Sequence, residues 1–291
     1  MNARALHDAA AAWLADRRAA VVVEVVAARG SVPRGVGTRM LVADDATLGT
    51  IGGGHLELHA ITAARALLAP GGGGAASEKT FALGPALGQC CGGSVTLAFA
   101  PLDAAALARW PCPAPLFHLQ LHGAGHVGRA IATLLATLDC DVDWYDERDD
   151  GFPATTALGS PWPAHIRATS ADTVEREVAN APAGAFYLVV THEHALDLRI
   201  VEAILRRGDA AFCGLIGSRT KRARFVRRLA ERGVGDDAIA RLTCPIGIEG
   251  IDGKSPELIA TAVVAQLLQR QGALAAAGST PSAREQASDE R

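Results

Sequence analysis

Apolar positions along the chain change period near residue 115. Before that point the runs are short and mixed. Residues 2–18 set Leu6, Trp13 and Leu14 in an Ala-rich stretch that predicts a helix. The valine-rich run 20–28 predicts a strand, and short runs at 40–43 and 47–51 around Asp44-Asp45 read as a hairpin. Leu56, Ala60, Ala63 and Leu67 recur at helical spacing and predict a helix over 55–68. Strands over 79–83 and 94–100 complete a small mixed α/β unit.

Trp110-Pro111-Cys112-Pro113-Ala114-Pro115 cannot continue a helix and donates few backbone N–H groups, so 110–115 reads as a linker. Beyond it, strands at 116–122, 141–146, 185–191 and 210–216 alternate with helices at 126–138, 195–207, 220–232 and 256–270. That alternation predicts a Rossmann-like, doubly wound parallel sheet. The expected organisation is an N-terminal mixed α/β domain over 1–109 and an α/β domain over 116–271. A tail over 272–291, rich in Ala, Ser, Glu and Arg, is expected to be disordered.

Composition narrows the function classes. A formal net charge of −3 gives no reason to expect a nucleic-acid partner. Asp8, Asp16, Arg17 and Arg18 interrupt any signal-peptide layout, and no run approaches the roughly 20 apolar residues of a membrane span. Six scattered cysteines show neither a disulfide framework nor paired zinc spacing, so a reducing, cytoplasmic setting is expected. Cys112, Cys140, Cys213 and Cys244 read as core or incidental.

The sharpest chemical signal is Gly123-Ala124-Gly125-His126-Val127-Gly128, between a strand and a helix. A phosphate there would meet unpaired N–H groups and the positive end of the helix dipole, and Gly123, Gly125 and Gly128 keep side chains out of its way. Asp146 ends the next strand at the separation expected of a ribose contact, which raises an NAD(P)-dependent oxidoreductase as one reading. Thr191-His192-Glu193-His194, before Asp197, offers a ligand contact at a strand end; His-x-His would also suit a metal, but no third ligand stands at a defensible spacing. Ser218 and Arg219 place a hydroxyl and a cation at the carboxyl edge of the sheet. In the first half, Gly52-Gly53-Gly54 before a helix offers further phosphate-ready N–H groups, notably of Gly53 and Gly54, with Glu57 one turn in. Gln89-Cys90-Cys91-Gly92-Gly93 sets two thiols on a turn, where one could attack, carry sulfur or bind a soft metal. Adjacent cysteines in a strand point opposite ways, so one of the pair is expected to be inert.

Together these segments resemble the xanthine dehydrogenase accessory protein family of the XdhC/CoxI type. The likeness rests on Gly30-Ser31-Val32-Pro33-Arg34 with Gly37-Thr38-Arg39-Met40, on residues 49–57, on Cys91-Gly92-Gly93 and on the 123–128 turn. It continues through Asp146-Glu147-Arg148, residues 191–194 with Asp197, 214–219, 245–247 and 255–260. The resemblance implies a protein without turnover of its own. Such a protein binds molybdenum cofactor (molybdopterin), protects it, supports exchange of a terminal oxo ligand for sulfur with a cysteine desulfurase, and delivers it to a xanthine dehydrogenase-type molybdenum hydroxylase. It implies cofactor contacts from Gly123, Gly125, His126, Gly128, Asp146, Arg148, His192, Ser218, Arg219, Gly53 and Gly54, with Cys91 or Cys90 toward the molybdenum. Where the family often has one cysteine before Gly-Gly, this chain has two, which leaves open the one that faces the metal. A homodimer is compatible with this reading, and so is a pure adaptor that docks desulfurase and dehydrogenase without holding cofactor.

Overall fold

The computed structural model describes residues 2–69, 76–83, 92–112 and 114–278. The chain divides into two compact units, Met1–Ala114 and Pro115–Arg291.

The first unit opens with α1 (Ala3–Ala15), capped by Asn2, whose side chain accepts from the Ala5 N–H at 2.8 Å. Strands β1 (Val21–Arg29), β2 (Arg39–Val42), β3 (Thr47–Gly49), β4 (Ser77–Ala82) and β5 (Ser94–Pro101) form an antiparallel sheet in the order β3-β2-β1-β5-β4. Alternation along β1 decides which layer covers which face. Val21, Val23 and Val25 pack with Leu56, Ala60 and Ala64 of α2 (Gly54–Leu68). Val22 turns the other way, into a cluster with Leu6 and Ala10 of α1 and with Trp110. Helix α3 (Ala104–Ala108) is a five-residue element that the sequence pattern did not predict.

The second unit holds a six-stranded, wholly parallel sheet: β6 (His118–His122), β7 (Asp141–Asp146), β8 (Ile166–Ser170), β9 (Phe186–Val189), β10 (Phe212–Leu215) and β11 (Leu242–Thr243). The order β11-β10-β9-β6-β7-β8 reverses direction between β6 and β9, where open α/β sheets leave a crevice at the strands' carboxyl ends. The sheet is a Rossmann-like core. Leu119 and Leu121 of β6 pack with α4 (His126–Leu135) and α8 (Pro256–Gly278) on one face. The opposite face carries the large apolar cluster of α5 (His194–Arg207). Helices α6 (Arg219–Glu231) and α7 (Asp236–Ala240) follow β10. Each fully buried leucine or isoleucine in these layers contributes roughly 1.5–3 kcal/mol.

Two expectations are corrected. The helix ending the second unit runs to Gly278 rather than stopping at residue 270, so 272–278, assigned to a disordered tail, is helical. The Ala-rich run 273–277 has the propensity for it. The rest of that expected tail, 279–291, lies outside the described residues. Strands β8 and β11 were missed: β8 buries only Ile166 and β11 has two residues, so neither shows an apolar period. Among the described residues, no helix is long and apolar enough to cross a membrane.

Candidate functional site

The three glycines of the turn do different jobs. Gly123 has φ +118°, and a Cβ there would stand 2.6 Å from the Val190 carbonyl oxygen. At Gly128 a Cβ would stand 2.0 Å from the Gly123 carbonyl oxygen, so only glycine lets α4 sit this close to the strand end. Gly125 differs: nothing lies within 4 Å of where its Cβ would be. Two glycines pack the turn, and the third leaves it open. Gly125 also caps α4 with no side-chain hydrogen bond, so the first-turn N–H groups and the positive end of the dipole meet no internal acceptor from that cap.

The turn is tied down by three side chains. The Trp144 indole N–H donates to the Gly123 carbonyl at 3.0 Å. Arg129 donates to the carbonyls of Ala124 at 2.9 Å and Gly151 at 2.8 Å. The Ala124 N–H donates to Asp146 Oδ2 at 2.6 Å. Asp146 is itself clasped by Arg148, whose Nε reaches Oδ1 at 2.8 Å and whose terminal nitrogen reaches Oδ2 at 3.0 Å; the Arg148 backbone N–H adds a bond to Oδ1 at 3.0 Å. A carboxylate offers about four lone-pair sites, and all are engaged here. Burial pushes the Asp146 pKa up, but the Arg148 guanidinium and the Ala124 and Arg148 N–H groups outweigh it and hold the pKa below the ordinary value.

A cavity of about 410 Å³ opens over the turn, lined among others by Gly123, Gly125, His126, Asp146, Arg148 and His192. It adjoins a groove of about 700 Å³ along α6, sharing Thr191, His192 and Ile216 with it. The wall between them is pinned from below. Asp197, with its side chain fully buried, accepts from the Thr191 hydroxyl at 2.6 Å and from Lys221 Nζ at 2.6 Å. Lys221 also donates to the Ile216 carbonyl at 2.8 Å, so one ion pair ties the ends of β9 and β10 to α6. Beneath the turn, the fully buried His122 stacks on Tyr145 with ring centres 5.6 Å apart, and neither ring nitrogen has a hydrogen-bond partner. Burial pushes its pKa down to about 3, which keeps the imidazole neutral.

In the first unit, Glu57 answers the glycine turn from within. One of its carboxylate oxygens accepts from the N–H groups of Ile51 at 3.1 Å and Gly53 at 3.0 Å, and from the Thr50 hydroxyl. Gly52 sits against Pro33, where a Cβ would come within 2.6 Å of the ring. A Cβ at Gly93 would lie 2.3 Å from the Ser31 carbonyl oxygen. The loop 30–34 therefore packs on both the triple-glycine turn and the Gly92-Gly93 segment.

Residues 119–267 match the family model of the XdhC Rossmann domain, and residues 13–77 match that of the XdhC and CoxI family. The chain belongs to the XdhC and CoxI family. A similar curated protein is the uncharacterized protein YqeB of Escherichia coli (strain K12), 32% identical over 257 residues. The match takes in 85% of this chain, and the chain spans 43% of the length of YqeB. A Bacillus halodurans crystal structure named as a xanthine dehydrogenase is similar in fold, with a TM-score of 0.75 at 18% identity over 97% of this chain and 98% of that one.

In this XdhC-type chain, Gly123, Gly125, His126, Asp146, Arg148 and His192 share one cavity, with Gly128 packed beneath it. Ser218 stands in the adjoining groove, where its side chain accepts from the Lys221 N–H at 3.2 Å and caps α6; Arg219 is exposed and lines neither space. The expectation of a phosphate-ready N–H group at Gly53 is corrected, because Glu57 supplies the anion from the chain itself and takes the Gly53 N–H. Cys90 and Cys91 lie outside the described residues. Cys140, Cys213 and Cys244 are buried, with Cys213 pushed up to about 12 by burial, and Cys112 is exposed. Arg129, His122 and the Lys221–Asp197 pair were not singled out from the sequence, because their partners are set by tertiary packing.

Proposed function

We propose that this chain is a carrier for molybdenum cofactor: it holds the pterin through its phosphate, supports its sulfuration with a cysteine desulfurase, and hands it to a xanthine dehydrogenase-type molybdenum hydroxylase. The cofactor is cargo here, and the chain performs no turnover of its own. What carries the reading is the open Gly125 in a turn otherwise locked on all sides. The uncapped first-turn N–H groups of α4, with room above Gly125, suit a phosphate, which needs donors already in place. Arg148 adds an exposed cation at the rim, its side chain 44% accessible. The cargo also carries a dithiolene-bound metal, and the soft ligand for it would come from Cys91 or Cys90.

The filled lone pairs of Asp146 argue against the dinucleotide alternative, since a ribose diol would find no free acceptor there. Gly125→Asp separates binding from folding. Asp is a good N-cap and the site is open, so the variant is expected to unfold within about 0.5 kcal/mol of the parent. Its carboxylate would occupy the anion position and abolish pterin binding. The check is pterin fluorescence and molybdenum content of the protein from a cofactor-producing host, beside urea unfolding. Pterin retained at parent level would overturn the proposal, and tight NADH binding lost in the variant would favour the oxidoreductase.

A further inference from the structure

Helix α6 carries six cationic side chains and one glutamate in 13 residues, in a chain whose formal net charge is −3. Elsewhere in the second unit arginines are largely neutralised: Arg148, Arg167, Arg199, Arg206, Arg207 and Arg232 each pair with a carboxylate. On α6 only Lys221 and Arg227 do so. Among the described residues, Arg219, Arg222, Arg224 and Arg228 have no carboxylate within ion-pair distance, and Arg219, Arg224 and Arg228 are exposed. Arg224 and Arg228 stand one turn apart on the groove side and share that groove with His192 and His194. Like charges at this spacing repel by a few tenths of a kcal/mol, so the isolated helix gains nothing from them. Carboxylates from outside would relieve that repulsion.

From this we infer that the α6 groove is the docking face for an acidic protein surface, that of the hydroxylase receiving the cargo. The inference rests on the carrier reading. The groove and the phosphate cavity share Thr191, His192 and Ile216, so a partner seated on Arg224 and Arg228 covers the mouth of the cavity and receives the cargo without its passing through solvent. The groove's cationic rim steers that encounter, because clustered charge of one sign raises association rates and does so in a salt-dependent way.

The test measures binding of the full chain to the immobilised, cofactor-free hydroxylase of the same cell, at about 50 and about 300 mM salt. The double variant R224E/R228E is expected to lower the association rate at low salt roughly tenfold or more, with pterin content unchanged. R176E, an exposed site away from the groove with the same charge change per residue, is expected to leave the rate within about twofold. Binding that is insensitive to both salt and R224E/R228E overturns the inference. So does equal affinity for a random-sequence DNA duplex, which would make the face a nucleic-acid site, and so does loss of pterin in R224E/R228E, which would make the groove part of the cargo site. A parent protein that holds no pterin but docks in this charge-dependent manner would defeat the carrier reading and leave the docking face standing. Urea unfolding of each variant separates misfolding from lost contact.

Discussion

His122 has a neutral imidazole with two unpartnered ring nitrogens in the floor beneath the glycine turn. In the unfolded chain it titrates near its ordinary value of about 6.5, whereas in the folded protein burial depresses the pKa to about 3. Between those values the unfolded state holds the extra proton. Stability therefore falls as pH drops from about 6.5, with a slope of up to about 1.4 kcal/mol per pH unit from this one group. His122→Phe keeps an aromatic ring against Tyr145 and removes the titration. Urea unfolding between pH 7 and pH 4.5 is expected to show a clearly shallower pH dependence in the variant, and the same slope in both would contradict the argument. Loss of two unpaired nitrogens should leave the variant no less stable at pH 7. Asp146 acts in a separate window: its folded pKa is lowered, so its contribution is complete above the ordinary carboxylate range and fades only as pH falls below it.

At the scale of elements, the Lys221–Asp197 pair joins α5 to α6 and both to the strand ends. Lys221 is 12% exposed and Asp197 not at all. Removing one partner strands a buried charge, and Lys221→Met is expected to cost about 3–5 kcal/mol. Adding Asp197→Asn should recover much of that loss, which denaturant unfolding of the single and double variants measures directly. The turn itself was legible in the sequence because its signal is local: a strand, three glycines, then a helix. Asp146 was legible too, though not its task. Its bond to Ala124, 22 residues away, exists only once β6 and β7 lie side by side. Gly53 misled for the same reason in reverse, since nothing in a string of glycines says that Glu57 already takes its N–H. Elements that bury at most one residue, such as β8, α3 and α7, leave no period to read.

Across the whole molecule, the two units have separate cores. Every residue of the two apolar clusters in the second unit lies between Phe117 and Leu267, and the two clusters of the first unit end at Trp110. Residues 115–278 expressed alone are therefore expected to fold and to unfold in one cooperative urea transition, followed by the emission of Trp144 and Trp162. A gradual, non-cooperative loss of signal would show that the first unit supplies part of that stability. Whole-chain charge was the least informative quantity: a net −3 conceals the unpaired arginines of α6, which only the ion-pair pattern of the folded unit exposes.

The carboxylate of Asp146 sits directly behind the glycine turn, 4% exposed and bonded to one of the turn's own N–H groups. Its negative charge offsets much of what the helix end and Arg148 would otherwise offer an anion. Selection at the turn thus falls to shape and donor direction more than to net attraction. Sulfate or chloride at cellular concentration should compete poorly there, and ionic strength should loosen the grip only slightly. The α6 groove obeys the opposite rule. On the proposed carrier reading, the chain would shed its partner in salt while keeping its cargo, and the two steps of a hand-over become separately controllable at the bench.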